Sequence, residues 1–242
     1  MSRAVRALLL AVLLAPLAAL AAEEGYRLDH APIDPKDLVS LQAGARTFVN
    51  YCLTCHGAQH MRYNRLVDLG LTESEIRNNL ILTGDKIGGT MTVALRPADG
   101  KAFFGVAPPD LTLIGRSRGA DWLYTYLRTF YRDPKAATGW NNAVFPRVAM
   151  PHVLWQLQGE RSLEVKEGEH GTPEYEWKQI VPGTQSEVQY DTTVRDLVNF
   201  LVYVAEPAAT ERQRIGIVVL FVLGILFIFA YALKKEYWKD VH

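Results

Sequence analysis

The sequence predicts a mainly α-helical domain held at a membrane by one C-terminal helix. Three observations predict it. Apolar residues repeat at helical spacing near both ends of the central region. The uncharged run from Ile215 to Leu233 follows that region. No long alternating strand pattern and no internal repeat lie between them. The 242 residues are 49% hydrophobic with a formal charge of zero, which suits one globular domain with membrane-related ends. A chain without net charge argues against a nucleic-acid partner.

The N-terminus reads as a secretory signal. Arg3 and Arg6 form a basic start, and an apolar run from Ala7 to Leu20 follows, interrupted by Pro16. Ala19-Leu20-Ala21 has the small-residue pattern of a cleavage site, and Glu23 and Glu24 come after it. The run is short for a membrane span. Residues 1–21 are therefore expected to be a signal peptide and residues 22–214 the exported domain.

Within that domain, Asp34 is the expected cap of a first helix, with Pro35 in its first turn. Leu38, Leu41, Ala45, Phe48 and Val49 continue it at helical spacing up to Cys52. Thr72 and Glu75 have capping-box spacing for a short helix through Leu80. Asp121 to Tyr131, rich in Trp and Tyr, is another candidate helix. The stretch from Gln158 to Val188 is polar and rich in glutamate. It reads as a solvated excursion rather than an acidic docking surface, because Arg161, Lys166 and Lys178 dilute its charge. Leu197, Phe200, Leu201 and Val204 form the apolar stripe of a last helix over Thr193–Val204, broken by Glu206-Pro207.

Ile215 to Leu233 follows. At about 1.5 Å per residue the run spans roughly 28 Å, close to the ~30 Å hydrocarbon core of a bilayer. Arg212 and Arg214 stop it on one side and Lys234 and Lys235 on the other. Tyr231, Tyr237 and Trp238 suit a membrane interface. The flanking charges balance, so the signal peptide sets the orientation. Residues 215–233 are expected to span the membrane, with residues 234–242 as a cytoplasmic tail.

The chemistry lies in Cys52-Leu53-Thr54-Cys55-His56. Cys-x-x-Cys-His is the attachment signature of a c-type haem. Two thiols on one face of a short turn can add across two vinyl groups. The next residue then sits under the iron, where an imidazole supplies an axial ligand. No second cysteine pair exists to complete a four-thiolate site, and no cysteine remains for a structural disulfide. Covalent haem attachment in bacteria takes place outside the cytoplasm, so the motif and the signal support each other.

A distal ligand must come from elsewhere. His60 and Met61 lie too near His56 to reach the other face of a ring. The candidates are Met91, Met150 and His152. Met91 follows Gly88-Gly89 in a flexible-looking segment. Met150 is favoured, because it sits in the apolar stretch Val148-Ala149-Met150 ended by Pro151.

The chain resembles the cytochrome c1 family, the membrane-anchored haem subunits of the cytochrome bc1 complex. The matches run in order along the whole chain. They are Cys52 to His56, Ala107-Pro108-Pro109-Asp110-Leu111-Thr112, Arg116 and Arg118, Met150-Pro151, and Ala205-Glu206-Pro207 ahead of a single terminal span. The resemblance implies a class I cytochrome c-like haem domain with inserted loops plus one C-terminal transmembrane helix. It implies one haem c bound through Cys52 and Cys55, with His56 and Met150 on the iron. Pro108 and Pro109 would pack near the haem and Arg118 would neutralise a propionate. The aromatic residue that follows the arginines in the family falls on Trp122. In such cores the first helix crosses the last, so Gly44 and Phe48 should meet the Phe200–Tyr203 face.

By this resemblance the chain is an electron-transfer subunit and no enzyme by itself. It would take electrons from the Rieske iron–sulfur protein, pass them to a cytochrome c, and sit beside cytochrome b without carrying the quinol site, in a dimeric complex. Its place would be the bacterial inner membrane, single-pass, with the haem domain in the periplasm. Two rivals are a cytochrome subunit of a terminal oxidase and a haem peroxidase. The latter needs a displaceable or absent distal ligand.

Overall fold

The first helix, α1, runs from Leu38 to Thr47 and continues as a wider π-helical turn over Phe48–Cys52. It therefore delivers its periodic apolar face directly into the cysteine motif. The computed structural model describes residues 26–82, 86–168 and 172–240. The expected signal peptide lies outside them. The cap of α1 is Asp37, whose carboxylate accepts from the Ser40 N–H at 3.1 Å, and not Asp34. Asp34 and Pro35 instead form the preceding turn, closed by the Asp37 N–H on the Asp34 carbonyl at 3.0 Å.

Short elements follow. Strand β1 (Ala58–Arg62) leads into a 3-10 helix over Tyr63–Leu69. Helix α2 (Glu73–Asn79) starts at the expected capping box, with both Thr72–Glu75 bonds formed. Strand β2 (Thr90–Met91) pairs antiparallel with β1. Helices α3 (Pro97–Phe104), α4 (Ile114–Ser117) and α5 (Ala120–Arg128) come next. The candidate helix at Asp121 ends three residues early. Its last residues enter strand β3 (Phe130–Arg132), paired with β4 (Trp140–Asn142).

The polar stretch beyond residue 158 is a correction. After the short α6 (Trp155–Gln158) it forms a long antiparallel hairpin, β5 (Gly159–Glu167) with β6 (Pro173–Pro182). Leu163 lies opposite Trp177, and Val165 opposite Tyr175. Tyr26 packs edge-on against Tyr175 and Trp177, at 4.7 and 6.3 Å between ring centroids. Arg132 holds the base of the hairpin to β3 through a bidentate pair with Glu160 at 2.9 and 2.6 Å.

Helix α7 (Glu187–Ala205) starts six residues before the expected Thr193. A capping box of Ser186 and Gln189 opens it. Its stripe of Val194, Leu197, Phe200, Leu201 and Val204 is buried against α1. The crossing is close: a Cβ on Gly44 would lie 2.0 Å from the Asp196 carbonyl oxygen and 2.7 Å from Phe200 Cβ. Phe48 and Phe200 pack at 5.7 Å between ring centroids. The expected meeting of first and last helices therefore occurs, centred one turn before Tyr203. A buried polar group flanks it. Ser40 Oγ donates to Asp196 at 2.7 Å, and Asn199 donates to the Asp34 carbonyl at 2.7 Å.

Helix α8 (Ala209–Tyr237) follows after a short break at Pro207. Its part from Arg214 to Tyr237 is the one helix among the described residues that is long and apolar enough to cross a membrane. No residue of its most apolar stretch is buried by the rest of the described chain.

A side chain at position 44 has no space unless the helices separate. Overpacking costs typically about 1–3 kcal/mol. Gly44→Ala is expected to lose at least that in chemical denaturation followed by circular dichroism. Gly88→Ala, where an added Cβ meets nothing within 4 Å, should stay within about 0.5 kcal/mol of the parent. Equal stability of the two variants would contradict the crossing.

Candidate haem site

The π turn at the end of α1 folds back on itself. The Cys55 and His56 N–H groups both donate to the Cys52 carbonyl, at 3.0 and 2.8 Å. This places Cys52, Cys55 and His56 along one side of a cavity of about 310 Å³. Leu197 and Leu201 of α7 line it, as do Leu123, Tyr126 and Leu127 of α5. So do Pro108, Pro109, Arg118 and Met150. The structure thus brings together every site residue expected from the sequence.

Burial pushes the Cys52 thiol up to about 12, with the neighbouring Cys55 adding to it. Burial raises Cys55 as well. Neither thiol is in a disulfide, so both are available for a covalent bond. Among the described residues, no cluster of His, Cys, Asp and Glu could hold a metal ion by itself.

His56 is fixed by its ring. Its Nδ1 lies 2.8 Å from the Pro109 carbonyl oxygen. A carbonyl only accepts, so Nδ1 carries the proton and Nε2 keeps its lone pair. Burial lowers the His56 pKa, while the Pro109 bond and the Asp110 charge oppose that shift. The ring is thereby kept neutral, in the tautomer a metal ligand needs.

The three distal candidates separate. Met91 is fully buried in β2, opposite Ala58, and does not line the cavity. His152 is buried and stacked on Phe130 at 4.9 Å and 2°. Its pKa falls to about 3, chiefly through burial, and it too lies off the cavity. Met150 lines the cavity, and its Sδ accepts from the Tyr126 hydroxyl at 3.4 Å.

Arg118 lines the cavity and has no carboxylate partner among the described residues. Its guanidinium carbon stands 4.9 Å from the Trp122 ring centroid and 5.9 Å from that of Phe145. Trp122 in turn stacks on Tyr126 at 4.7 Å and 11°. An unpaired cation at the edge of an apolar hollow suits a ligand with a carboxylate. Arg116 does not share this role, because it pairs with Glu206 at 3.4 Å.

Sequence reasoning assigned no role to two residues. Tyr126 follows Trp122 by four positions, and helical spacing could have put both on one face. Asp110 stands within the proline motif, and nothing in its local pattern marks a further role. Its carboxylate accepts from the Gln59 N–H at 2.8 Å and the Thr112 N–H at 2.9 Å, which pins the proline loop beside the cysteine turn.

A family model described as "Cytochrome C1 family" matches residues 93–241. Cytochrome c1 of Allochromatium vinosum is 52% identical over 236 residues, 96% of this chain and 96% of the relative. The chain belongs to the cytochrome c1 family. The family match begins beyond the cysteine motif, but the relative's coverage takes in nearly the whole chain. A protein of Nitrosomonas europaea named "Ammonia monooxygenase gamma subunit" is 52% identical over 241 residues, 99% of this chain and all of the relative. Cytochrome c1 of Rhodospirillum rubrum is 28% identical over 238 residues, 85% of this chain and 83% of the relative. Cytochrome c1 proteins carry a covalently bound haem c. The donor set fits that group, with two thiols, a tautomerically fixed imidazole, a thioether and an unpaired guanidinium around one apolar hollow.

Proposed function

We propose that Cys52 and Cys55 anchor haem c in this cavity and that His56 Nε2 and Met150 Sδ are the axial ligands. Pro108 and Pro109 form part of the wall, and Arg118 offsets the charge of a propionate. The observation that carries the reading is that Met150, alone of the three distal candidates, lines the same cavity as His56. Haem c supplies a one-electron couple at iron, whose potential a thioether ligand raises. With His56 and Met150 both on the iron, no position would be left for a substrate. That disfavours the peroxidase reading. The apolar lining excludes water and limits reorganisation when charge changes.

The chain is thus an electron-transfer subunit of a quinol–cytochrome c oxidoreductase, and catalysis at quinol lies in its partners. In our reading it sits beside cytochrome b, takes electrons from the Rieske protein and passes them to a cytochrome c, within a dimeric complex. The family match supports this over a terminal-oxidase subunit. The name of the Nitrosomonas relative points to a different assembly, so the partner is the quantity to measure. Purification in mild detergent should bring along b-type haem and a Rieske centre, seen in a reduced-minus-oxidised spectrum and by electron paramagnetic resonance. Co-purification with monooxygenase polypeptides and no b-type haem would overturn the assignment.

The reading also orients the chain. A signal peptide over residues 1–21 would place residues 22–214 in the periplasm, residues 215–233 in the inner membrane and residues 234–242 in the cytoplasm. Protease added to right-side-out spheroplasts should release a haem-bearing fragment. Protection there, with cleavage only in inverted vesicles, would reverse the topology.

Met150→Leu should keep the covalent haem and lose the weak red sulfur-to-ferric-iron band. It should also open the iron to carbon monoxide. If the potential drops by about 200 mV, a one-electron step loses about 4.6 kcal/mol, from 59 mV per tenfold. A Rieske donor can lie as high as about +300 mV, so quinol oxidation should then stall. Met91→Leu should leave band and potential in place. The opposite pattern would refute the ligand assignment.

A further inference from the structure

The imidazole of His56 is only as well placed as the carbonyl it leans on. Pro109 has no side-chain hydrogen bond of its own, and the next residue holds it. Asp110 spreads its carboxylate over two segments. Oδ2 accepts from the Gln59 N–H at 2.8 Å, just beyond the cysteine motif. Oδ1 accepts from the Thr112 N–H at 2.9 Å and from the Thr112 hydroxyl. That same hydroxyl oxygen accepts from the His60 N–H at 3.3 Å. The Leu111 N–H closes the set on the Gly57 carbonyl at 2.8 Å. A Cβ on Gly57 would lie 3.2 Å from Asp110 Oδ2, so the carboxylate packs against nearly bare backbone next to His56. Among the described residues no Lys or Arg pairs with Asp110. Neither Asp110 nor Thr112 lines the cavity.

We propose that Asp110, through Thr112, is a positioning residue for the proximal ligand. It locks the Pro109 carbonyl onto His56 Nδ1–H and so sets how strongly Nε2 donates to the iron. A hydrogen bond from the far nitrogen to an acceptor raises the basicity of a metal-bound imidazole. A stronger donor favours ferric iron. Loosening the lock therefore raises the potential, and loss of the carboxylate's negative charge acts in the same direction. The proposal rests on His56 being the ligand.

The test uses full-length protein with haem attached, in detergent. Asp110→Asn replaces one carboxylate oxygen by an N–H₂ group, so either the Gln59 N–H or the Thr112 N–H loses its acceptor. Thr112→Val removes the hydroxyl but leaves the carboxylate charge. Two quantities are read: the midpoint potential, and the deuterium exchange of His56 Nδ1–H in ferrous, ¹⁵N-histidine-labelled protein. Asp110→Asn should speed exchange at least tenfold and shift the reduction equilibrium about tenfold toward ferrous, or about 59 mV for one electron. Thr112→Val should shift both the same way by less, and Thr112→Ser should stay at the parent values. Parent-like exchange and potential in both Asp110→Asn and Thr112→Val would overturn the proposal. If Asp110→Asn fails to mature, Thr112→Val against Thr112→Ser still decides it. His56→Gly tests the underlying reading separately. An unchanged spectrum there would remove His56 as ligand, whereas unchanged Asp110 and Thr112 variants alone would remove only the lock.

Discussion

The close crossing of α1 and α7 at Gly44 is the contact on which the rest of the molecule depends. It sets where α1 ends, and α1 ends in the two cysteines. It also turns Leu197 and Leu201 of α7 toward the same hollow that the cysteines border. The polar set of Ser40, Asp196 and Asn199 keeps the two helices in one register, because a slip would strand these buried groups without partners. A second close approach supports the first. A Cβ on Gly115 of α4 would lie 2.8 Å from the Leu201 carbonyl oxygen. The segment carrying Arg118 is thereby fixed to the same helix from the other side.

The hollow between these elements is apolar and large for a domain without disulfides. Its walls come from far-apart stretches of chain, each tied down locally rather than by a common sheet. Asp110 ties the proline loop to the cysteine turn. Arg128 ties α5 to α7 through a bidentate pair with Asp191 at 2.6 and 2.9 Å, and to the N-terminal segment through Asp29 at 2.6 Å. A ring held covalently in the hollow, as proposed, would give these walls something to pack against. In that physical sense cofactor and fold would be one structure.

Much of this was legible in the sequence because it rests on local signals. The cysteine motif, the Thr72 capping box, the apolar stripes of α1 and α7 and the terminal span all announce themselves within a few residues. The hairpin did not. Leu163 and Val165, and Tyr175 and Trp177, do alternate, but they are too few and too embedded in glutamate to stand out. Their pairing and the cover from Tyr26 are long-range facts. The early start of α7 was missed for a different reason. Ser186 and Gln189 are a capping box ahead of a first turn whose exposed Val188 breaks the apolar stripe. The roles of Tyr126 and Asp110 depend on partners 24 and 51 residues away in the chain, which no local pattern encodes.

Two relatives at the same identity carry names from different assemblies. The cysteines, His56 and Met150 border one cavity, and the groups that hold the His56 ring, the Pro109 carbonyl and the Asp110–Thr112 set, come from the same chain. The link to the membrane is equally self-contained. Glu206 caps the end of α7 and pairs with Arg116 of α4 and with Arg212 of the anchor helix. The haem domain thus meets its tether through contacts within one chain. Away from the cavity, the outer surface carries the exposed Phe103 in the last turn of α3 and the solvated hairpin. Changes at Phe103 or along the hairpin would leave the cavity lining, the bonds around Asp110 and the anchor as they are, because none of these uses them.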